Sequence, residues 1–256
     1  MSINLYPLHS LYALRTLENP SFAEVGNLRK ITILDWVYRF RYTSIPVLEI
    51  LLGDIPKSAL VALLSRMEKR GEIRKFSLVT GFTKVGFCLR EKGFLLLQQH
   101  FENRQFGRFF TETATLSASN FVHDLAIQHV IAKQIGTDTS GKKIGFANEW
   151  EIRSYYAESK TKILDAIVEH VIADKKKRFG VEVELSPKTT KRIKMALHAS
   201  KKLVEDGDIH AIQYLCPTKG LAAALNRQIK ESGLDPNRFL TAVPTGLKQL
   251  IAGGRA

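Results

Sequence analysis

The sequence has few cysteines and no long apolar run. Cys88 and Cys216 are the only two in 256 residues, and neither has a cysteine or histidine partner at ligand spacing. This argues against a disulfide framework and a structural zinc site. No stretch approaches the roughly 18 apolar residues of a membrane span, and the first residues lack the apolar core of a leader. We therefore expect a cytoplasmic chain without a membrane span.

Acidic residues are scarce relative to basic ones. The chain has 38 Lys and Arg against 25 Asp and Glu, a formal net charge of +13 and a sequence pI near 9.7. Each phosphate that Lys or Arg neutralises releases a condensed counterion, so a polyanion is the first partner to consider. With 45% hydrophobic residues, the composition is that of a folded chain of one large or two modest domains.

Most of the positive charge lies in one third of the sequence. Residues 29–108 contain 15 basic and 7 acidic side chains, which is +8 of the +13. Helical patterns recur three times and precede two short β patterns around a turn at Thr80 and Gly81. The helices are expected over residues 31–42, 45–52 and 58–70. Three helices followed by a two-stranded ribbon is the order of a winged helix-turn-helix, a DNA-binding fold.

The third of these helices would enter the major groove, with the ribbon on the adjacent backbone. Its buried stripe is expected at Leu60, Leu63, Leu64 and Met67. The outward positions and the ribbon supply the DNA-binding candidates, which are Lys57, Ser58, Ser65, Arg66, Lys69, Arg74, Lys75 and Lys84. Few of them read base edges bidentately, so we expect phosphate contact more than sequence reading. The alternative is a protein-docking or dimerisation module whose basic residues are a solvated face.

The sequence changes character at residue 121. Helical and β patterns alternate from there to the end, which predicts an α/β domain with three layers. Its β-rich runs are residues 163–173 and 179–185 around a basic turn at 175–178, and further elements are expected over 190–205, 209–216, 219–232 and 239–243. The predicted organisation is an extension over residues 1–28, a winged helix over 29–110, a linker over 111–120 and the α/β domain over 121–256.

Carboxylates gather at two of the predicted strands. Asp165 lies in an apolar run, where a lone carboxylate is costly to bury unless it binds something. Strand alternation puts Glu182 and Glu184 on one face of the next strand, about 7 Å apart. Three acids this close repel each other unless a cation lies among them, and oxygen ligands suit Mg²⁺ or Mn²⁺. Alternatively, the two glutamates are the wet face of an edge strand, paired with Lys188 and Arg192.

A strand aspartate, a hairpin and an acidic-x-acidic strand resemble the PD-(D/E)xK fold of restriction-endonuclease-like nucleases. More narrowly, the segments around Asp165 and over 181–192 resemble the replication-relaxation family. That family includes the MOBC-type relaxases of mobilisable plasmids, which also place a winged helix before a nuclease-like domain. Residues 121–126 resemble its domain-opening helix and residues 148–153 its early acidic segment. The resemblance covers most of the chain through short motifs in matching order.

The resemblance implies catalytic roles for individual residues. Asp165 would be the central metal ligand and Glu182 the first acid of the third motif, with Glu184 as a further ligand. Glu184 stands where nucleases of the wider class have lysine, so the positive charge would come from Lys188, with Lys191 as the fallback.

Glu149 or Glu151 would complete this acidic cluster. The implied activity is metal-assisted phosphodiester cleavage, in which one strand is nicked at a plasmid origin of transfer. The implied partners are double-stranded DNA, other relaxosome proteins and a coupling ATPase, and a homodimer stays open. The main alternative is a non-catalytic DNA-binding replication regulator or relaxosome accessory protein. A restriction or repair nuclease with a similar core also stays open.

Overall fold

The computed structural model describes residues 5–53, 55–77, 83–102, 104, 106, 118–136, 144–155 and 162–248. Within these residues the chain is mixed α/β, which confirms the predicted fold class. The chain divides into two compact units, Leu8–Lys143 and Ile144–Ala256, and the second also includes Met1–Pro7. The predicted turn at Thr80 and Gly81 and most of the predicted linker lie outside the described residues.

The first unit is mainly helical in its described part. Its elements are α1 (His9–Thr16), α2 (Phe22–Phe40), β1 (Tyr42–Thr43), α3 (Ile45–Leu52), α4 (Lys57–Lys69), β2 (Ile73–Ser77), β3 (Val85–Leu89), α5 (Glu91–His100) and α6 (Ala118–Gly136). The strands form an antiparallel sheet in the order β1-β3-β2. The expected succession of three helices and two strands is present as α2, α3, α4, β2 and β3, and β1 replaces an expected turn. The role of the first unit as a DNA-binding winged helix stays a prediction.

Helix α2 begins well before its predicted start at residue 31. Ser21 Oγ accepts a hydrogen bond from the Glu24 amide at 3.2 Å, and Glu24 Oε2 accepts one from the Ser21 amide at 2.8 Å. This reciprocal capping box defines the start of the helix. The buried stripe begins only at Ile31, which is why hydrophobic periodicity missed the first turns. Residues 9–28 are therefore largely helical and do not form a separate extension.

Helix α6 belongs to the first unit, whereas residues 121–136 were expected in the second domain. Trp36 Nε1 donates to Gln128 Oε1 at 3.0 Å, and Gln128 Nε2 donates to the Tyr42 carbonyl at 2.9 Å. The Tyr42 hydroxyl donates to Asp124 Oδ2 at 2.6 Å. These bonds connect α6 to the end of α2 and to β1, and α6 also packs on α3.

The second unit is built on a five-stranded sheet. Its described elements are β4 (Gly145–Asn148), α7 (Glu149–Tyr155), β5 (Ala166–Ile172), β6 (Lys175–Val183), α8 (Thr190–Glu205), β7 (Ala211–Leu215), α9 (Lys219–Glu231) and β8 (Phe239–Ala242). The strand order is β4-β5-β6-β7-β8, antiparallel up to β6 and parallel beyond it. Helix α8 has its predicted bounds, and α9, β7 and β8 lie within two residues of theirs.

The hairpin between β5 and β6 turns at Ala173 and Asp174. Both residues have left-handed φ values, 48° and 58°, and Ile172 pairs with Lys175 across a two-residue loop. Such a turn matches the twist of the flanking strands. The basic run 175–178, expected to be the turn, is instead the first part of β6.

One face of the sheet packs against the three helices in the described part of the unit. The shared core contains Ile152 of α7, Leu197 of α8, Leu225 of α9, and Ile212 and Tyr214 of β7. A second helical layer on the opposite face, which the three-layer arrangement requires, stays a prediction. Because Tyr214 pairs with Glu182 of β6, the covered face of the sheet also carries this glutamate.

Candidate active site

Three predicted carboxylates lie at one end of the central strands β5 and β6 of the five-stranded sheet. Asp165 immediately precedes β5, Glu182 is the penultimate residue of β6, and Glu184 follows its end. Because β5 and β6 pair antiparallel through Ala166 and Val181, Asp165 and Glu182 occupy neighbouring positions on adjacent strands. The structure thus brings together residues that are 17 positions apart in the sequence.

Central placement of β6 makes the edge-strand alternative wrong. This strand has β5 on one side and β7 on the other. Glu182 and Glu184 are only 7% and 8% exposed, so they do not form a wet face. Two buried glutamates in a basic protein require specific partners, because an isolated buried charge is costly.

Asp165 is bound to the backbone of the neighbouring strand. Its Oδ2 accepts a hydrogen bond from the Val183 amide at 2.7 Å. The residue is half-buried and lies just before β5, whereas the sequence placed it inside an apolar strand. Part of its desolvation cost is therefore offset without a cation, and one carboxylate oxygen is already directed towards the end of β6.

The two carboxylate oxygens of Glu182 have different surroundings. Oε2 lies 3.1 Å from Lys162 Nζ, while Oε1 is buried with no hydrogen-bond partner among the described residues. Burial raises the pKa of Glu182 to about 7; Lys162 opposes this rise, and Asp165 and Glu184 add to it. A buried, unsatisfied carboxylate oxygen next to a second carboxylate is an environment that a cation would stabilise.

Lys162 is a candidate that the sequence analysis missed. Its Nζ donates to Ser200 Oγ at 3.0 Å, in addition to its contact with Glu182, and the Tyr214 hydroxyl donates to the same Ser200 oxygen at 3.0 Å. The ammonium also lies over the Tyr214 ring, 5.9 Å from its centroid. The sequence does show a lysine three residues before Asp165, which could have suggested a role near this acid. Its partner Ser200 on α8, however, is remote in sequence.

Lys188 contacts Glu184 at the same end of the strands, and its predicted catalytic role stays a prediction. Lys188 Nζ donates to Glu184 Oε1 at 2.5 Å, across four residues of chain. The fallback candidate, Lys191, is exposed in the first turn of α8. At this end of the strands, therefore, Lys162 contacts Glu182 and Lys188 contacts Glu184.

Glu149 and Glu151 take part in local contacts of α7. Glu151 Oε2 accepts from the Asn148 amide at 3.0 Å, and Asn148 Oδ1 accepts from the Glu151 amide at 3.1 Å, which forms a capping box. Glu149 Oε1 accepts from Arg153 Nε at 2.8 Å. The carboxylates that perturb Glu182 are Asp165 and Glu184, and the roles predicted for the two α7 glutamates stay predictions.

Two of the predicted ligands, Asp165 and Glu182, have the chemistry that a divalent cation requires. No three Asp, Glu, His or Cys side chains in the described part of the chain are grouped so as to hold a metal ion. Mg²⁺, however, is commonly held by one or two carboxylates, with water and substrate oxygens completing its shell. Asp165 and Glu182 meet that requirement, and the unsatisfied Oε1 of Glu182 favours it. Glu184, the third predicted ligand, is bound to Lys188.

The eight DNA-binding candidates all lie at exposed positions of α4, β2 and the residues before β3. The predicted buried stripe of α4 is confirmed, since its four apolar residues are at most 9% exposed. Lys57 makes a contact of 3.8 Å with Glu49, a distance typical of a weak surface pair. Exposure is what phosphate contact requires, and binding itself stays a prediction.

No family model and no curated protein matches the sequence. Among solved structures, the restriction endonuclease FokI is similar at 8% identity, over 94% of this chain and 73% of that chain, with a TM-score of 0.21. A likeness this low carries no argument about fold or activity. None of the helices in the described ranges is both long and apolar enough to cross a membrane.

Proposed function

We propose that the chain binds DNA and cleaves phosphodiester bonds at Asp165 and Glu182 with the help of a divalent cation. The observation that carries the proposal is the buried, unsatisfied Oε1 of Glu182 beside Asp165 on the adjacent strand. The large majority of buried side-chain polar atoms have a hydrogen-bond partner, and a cation would supply one to this oxygen.

Asp165 and Glu182 would hold Mg²⁺ or Mn²⁺, which when bound polarises a phosphate and lowers the pKa of a water ligand. Lys162 keeps Glu182 in place through its ammonium and is itself fixed by Ser200. A positively charged group this close to the carboxylates can also stabilise negative charge on a phosphate oxygen. Lys188, on a more exposed stem, is the second candidate for that role.

DNA binding is supported by the charge and exposure of the first unit. Its helix–helix–ribbon succession presents an exposed basic face on α4 and β2. The finer proposal, nicking at a plasmid origin of transfer with relaxosome proteins as partners, is supported by the resemblance of short motifs alone.

The test of cleavage is relaxation of supercoiled plasmid in Mg²⁺ or Mn²⁺, with and without a candidate origin of transfer. Wild type is expected to relax the plasmid, and Asp165→Ala and Glu182→Gln are expected to lose at least 100-fold in rate. Glu205→Gln, an exposed glutamate on α8, is the matched control. Relaxation that persists in both site variants, or that EDTA does not stop, contradicts the assignment of the site.

A second function is favoured by the contacts of the acids. Each of the three carboxylates already has a lysine or a backbone amide as partner. A DNA-binding regulator without catalysis would use these pairs only to stabilise the sheet edge. If the chain has this second function, wild type should bind DNA without relaxing it under any divalent cation. Glu182→Gln should leave that binding unchanged.

The test of DNA binding is the salt dependence of affinity for duplex DNA. Arg66→Gln and Lys69→Gln should each weaken binding and reduce the magnitude of the log–log salt slope by about 1, as loss of one phosphate contact does. Lys92→Gln on α5 is the control, an exposed lysine outside the predicted surface. Equal effects from all three substitutions would assign binding to overall charge and not to α4.

A further inference from the structure

A cavity of about 410 Å³ lies in the second unit, at the opposite end of strand β6 from the carboxylates. It is formed where β6 and β7 begin, whereas the acids lie at the end of β6. The five residue steps from Lys177 to Glu182 correspond to about 17 Å along a strand. The charged and imidazole residues that line the cavity are Lys176, Lys177, Arg178, Asp208, His210 and Arg238.

Positive charge exceeds negative charge in this cavity. Glu169, on the neighbouring strand, binds both Lys176 at 3.0 Å and Arg178 at 3.1 Å, so one carboxylate is shared by two cations. Asp208 is the one acidic residue among those lining the cavity. Lys177, which alternates with Lys176 and Arg178 along β6, has neither an ion pair nor a hydrogen bond within the described part of the chain. Its charge is therefore available to a ligand.

Arg238 is held in position by neutral groups. Its Nη2 donates to the Val204 carbonyl at 2.7 Å, and its Nε donates to the His210 carbonyl at 3.2 Å. A guanidinium has five donors, so further N–H groups remain. Carbonyls orient the side chain without neutralising its charge, which leaves a fixed cation at the cavity.

Three of the four main-chain amides in the lining loop, residues 207–210, are already used. The amide of Gly207 bonds to the Val204 carbonyl, that of Ile209 to the Leu203 carbonyl and that of His210 to the Arg178 carbonyl. An anion in the cavity would therefore be bound through side-chain charges. Binding of this kind weakens steeply with salt.

We infer that this cavity binds a phosphate group, carried by a nucleic-acid strand or by a small phosphorylated molecule. Fixed arginine beside lysine is the combination that recognises phosphate, through a planar fork and a point charge. The cavity volume lies within the range of small-ligand sites. The inference does not depend on the proposed function, because no carboxylate of the candidate active site takes part.

The experiment is calorimetric titration of the full-length protein with inorganic pyrophosphate at low salt. Lys177→Gln should weaken binding about tenfold or more, as expected for loss of a charge-assisted hydrogen bond. Lys175→Gln is the matched control, since Lys175 is an exposed lysine on the same strand that does not line the cavity. The control should bind like wild type. Neither substitution removes a structural partner, so both variants should fold.

A second arm distinguishes the two sources of phosphate. A single-stranded 20-nucleotide oligonucleotide is added as competitor in the same titration. Competition that disappears in Lys177→Gln identifies a strand phosphate as the ligand, and pyrophosphate binding without competition identifies a small phosphorylated molecule. The inference is overturned if wild type does not bind pyrophosphate, or if Lys177→Gln and Lys175→Gln bind it equally well.

Discussion

Lys162 and Glu182 form a largely buried ion pair at the end of a central strand, with 3.1 Å between Nζ and Oε2. Such pairs contribute little net stability, because the cost of desolvating both charges offsets their attraction. Breaking one is costly, since the remaining charge is left buried without a partner. The other Glu182 oxygen has no hydrogen-bond partner in the described residues, so Glu182 depends strongly on this lysine.

Lys162→Met should destabilise the second unit by about 3 kcal/mol at pH 8. The loss should be smaller at pH 5, because protonated Glu182 no longer needs a cationic partner. Hydrogen–deuterium exchange of the β5, β6 and β7 amides would measure the free energy of opening in this unit. Lys201→Gln is the control: its pair with Glu205 is solvent-exposed, so the loss should be within about 0.5 kcal/mol. Equal losses in the two variants would contradict the special role of Lys162.

Glu182 should make the metal-free protein less stable as pH rises. Burial raises its pKa to about 7 in the folded protein, against 4.5 for an unperturbed glutamate. The folded state therefore binds more protons than the unfolded state between these values, and stability falls as pH rises through that window. Its contribution is fully present below about pH 4.5 and lost above about pH 7.

Glu182→Gln should flatten this part of the stability profile, because glutamine does not titrate. Urea unfolding in EDTA from pH 4.5 to 8, followed by circular dichroism, measures the slope. Glu205→Gln, on the exposed surface of α8, should keep the wild-type slope. An unchanged slope in Glu182→Gln would show that another group causes the pH dependence.

The juxtaposition of Asp165 and Glu182 could be predicted because it depends on local rules. Two β-rich runs joined by a short turn form a hairpin, and antiparallel pairing then sets the two acids side by side. Helix α8 could be predicted equally well from the sequence. Its start is marked by Thr189, whose hydroxyl accepts from the Arg192 amide, and its apolar stripe is regular.

Contacts between remote segments could not be predicted in this way. Lys162 meets Ser200 across 38 residues, and Trp36 meets Gln128 across 92. Neither pair leaves a periodic pattern in the sequence, so the lysine and the placement of α6 were missed. The start of α2 was different, because the Ser-x-x-Glu signature at Ser21 is local and visible.

Gln128→Leu should destabilise the first unit by about 1 to 3 kcal/mol. The substitution leaves the buried indole N–H of Trp36 and the Tyr42 carbonyl without their shared partner. Trp36 fluorescence during urea unfolding, in a Trp150→Phe background, reports on this unit. Gln134→Leu on the same helix is the control. Its Oε1 is buried with no partner among described residues, so its removal should be neutral or mildly stabilising.

Two helical glycines of the first unit should respond oppositely to alanine. A Cβ at Gly26 in α2 meets nothing within 4 Å, so Gly26→Ala should stabilise the unit by up to about 1 kcal/mol through helix propensity.

A Cβ at Gly93 in α5 would lie 2.2 Å from the Glu72 carbonyl oxygen. That carbonyl accepts from the Arg90 amide at 3.0 Å and cannot easily move. Gly93→Ala should therefore cost about 1 to 3 kcal/mol, as overpacking does. The same Trp36 unfolding assay checks both substitutions, and a stabilised Gly93→Ala would contradict the close approach of α5 to Glu72.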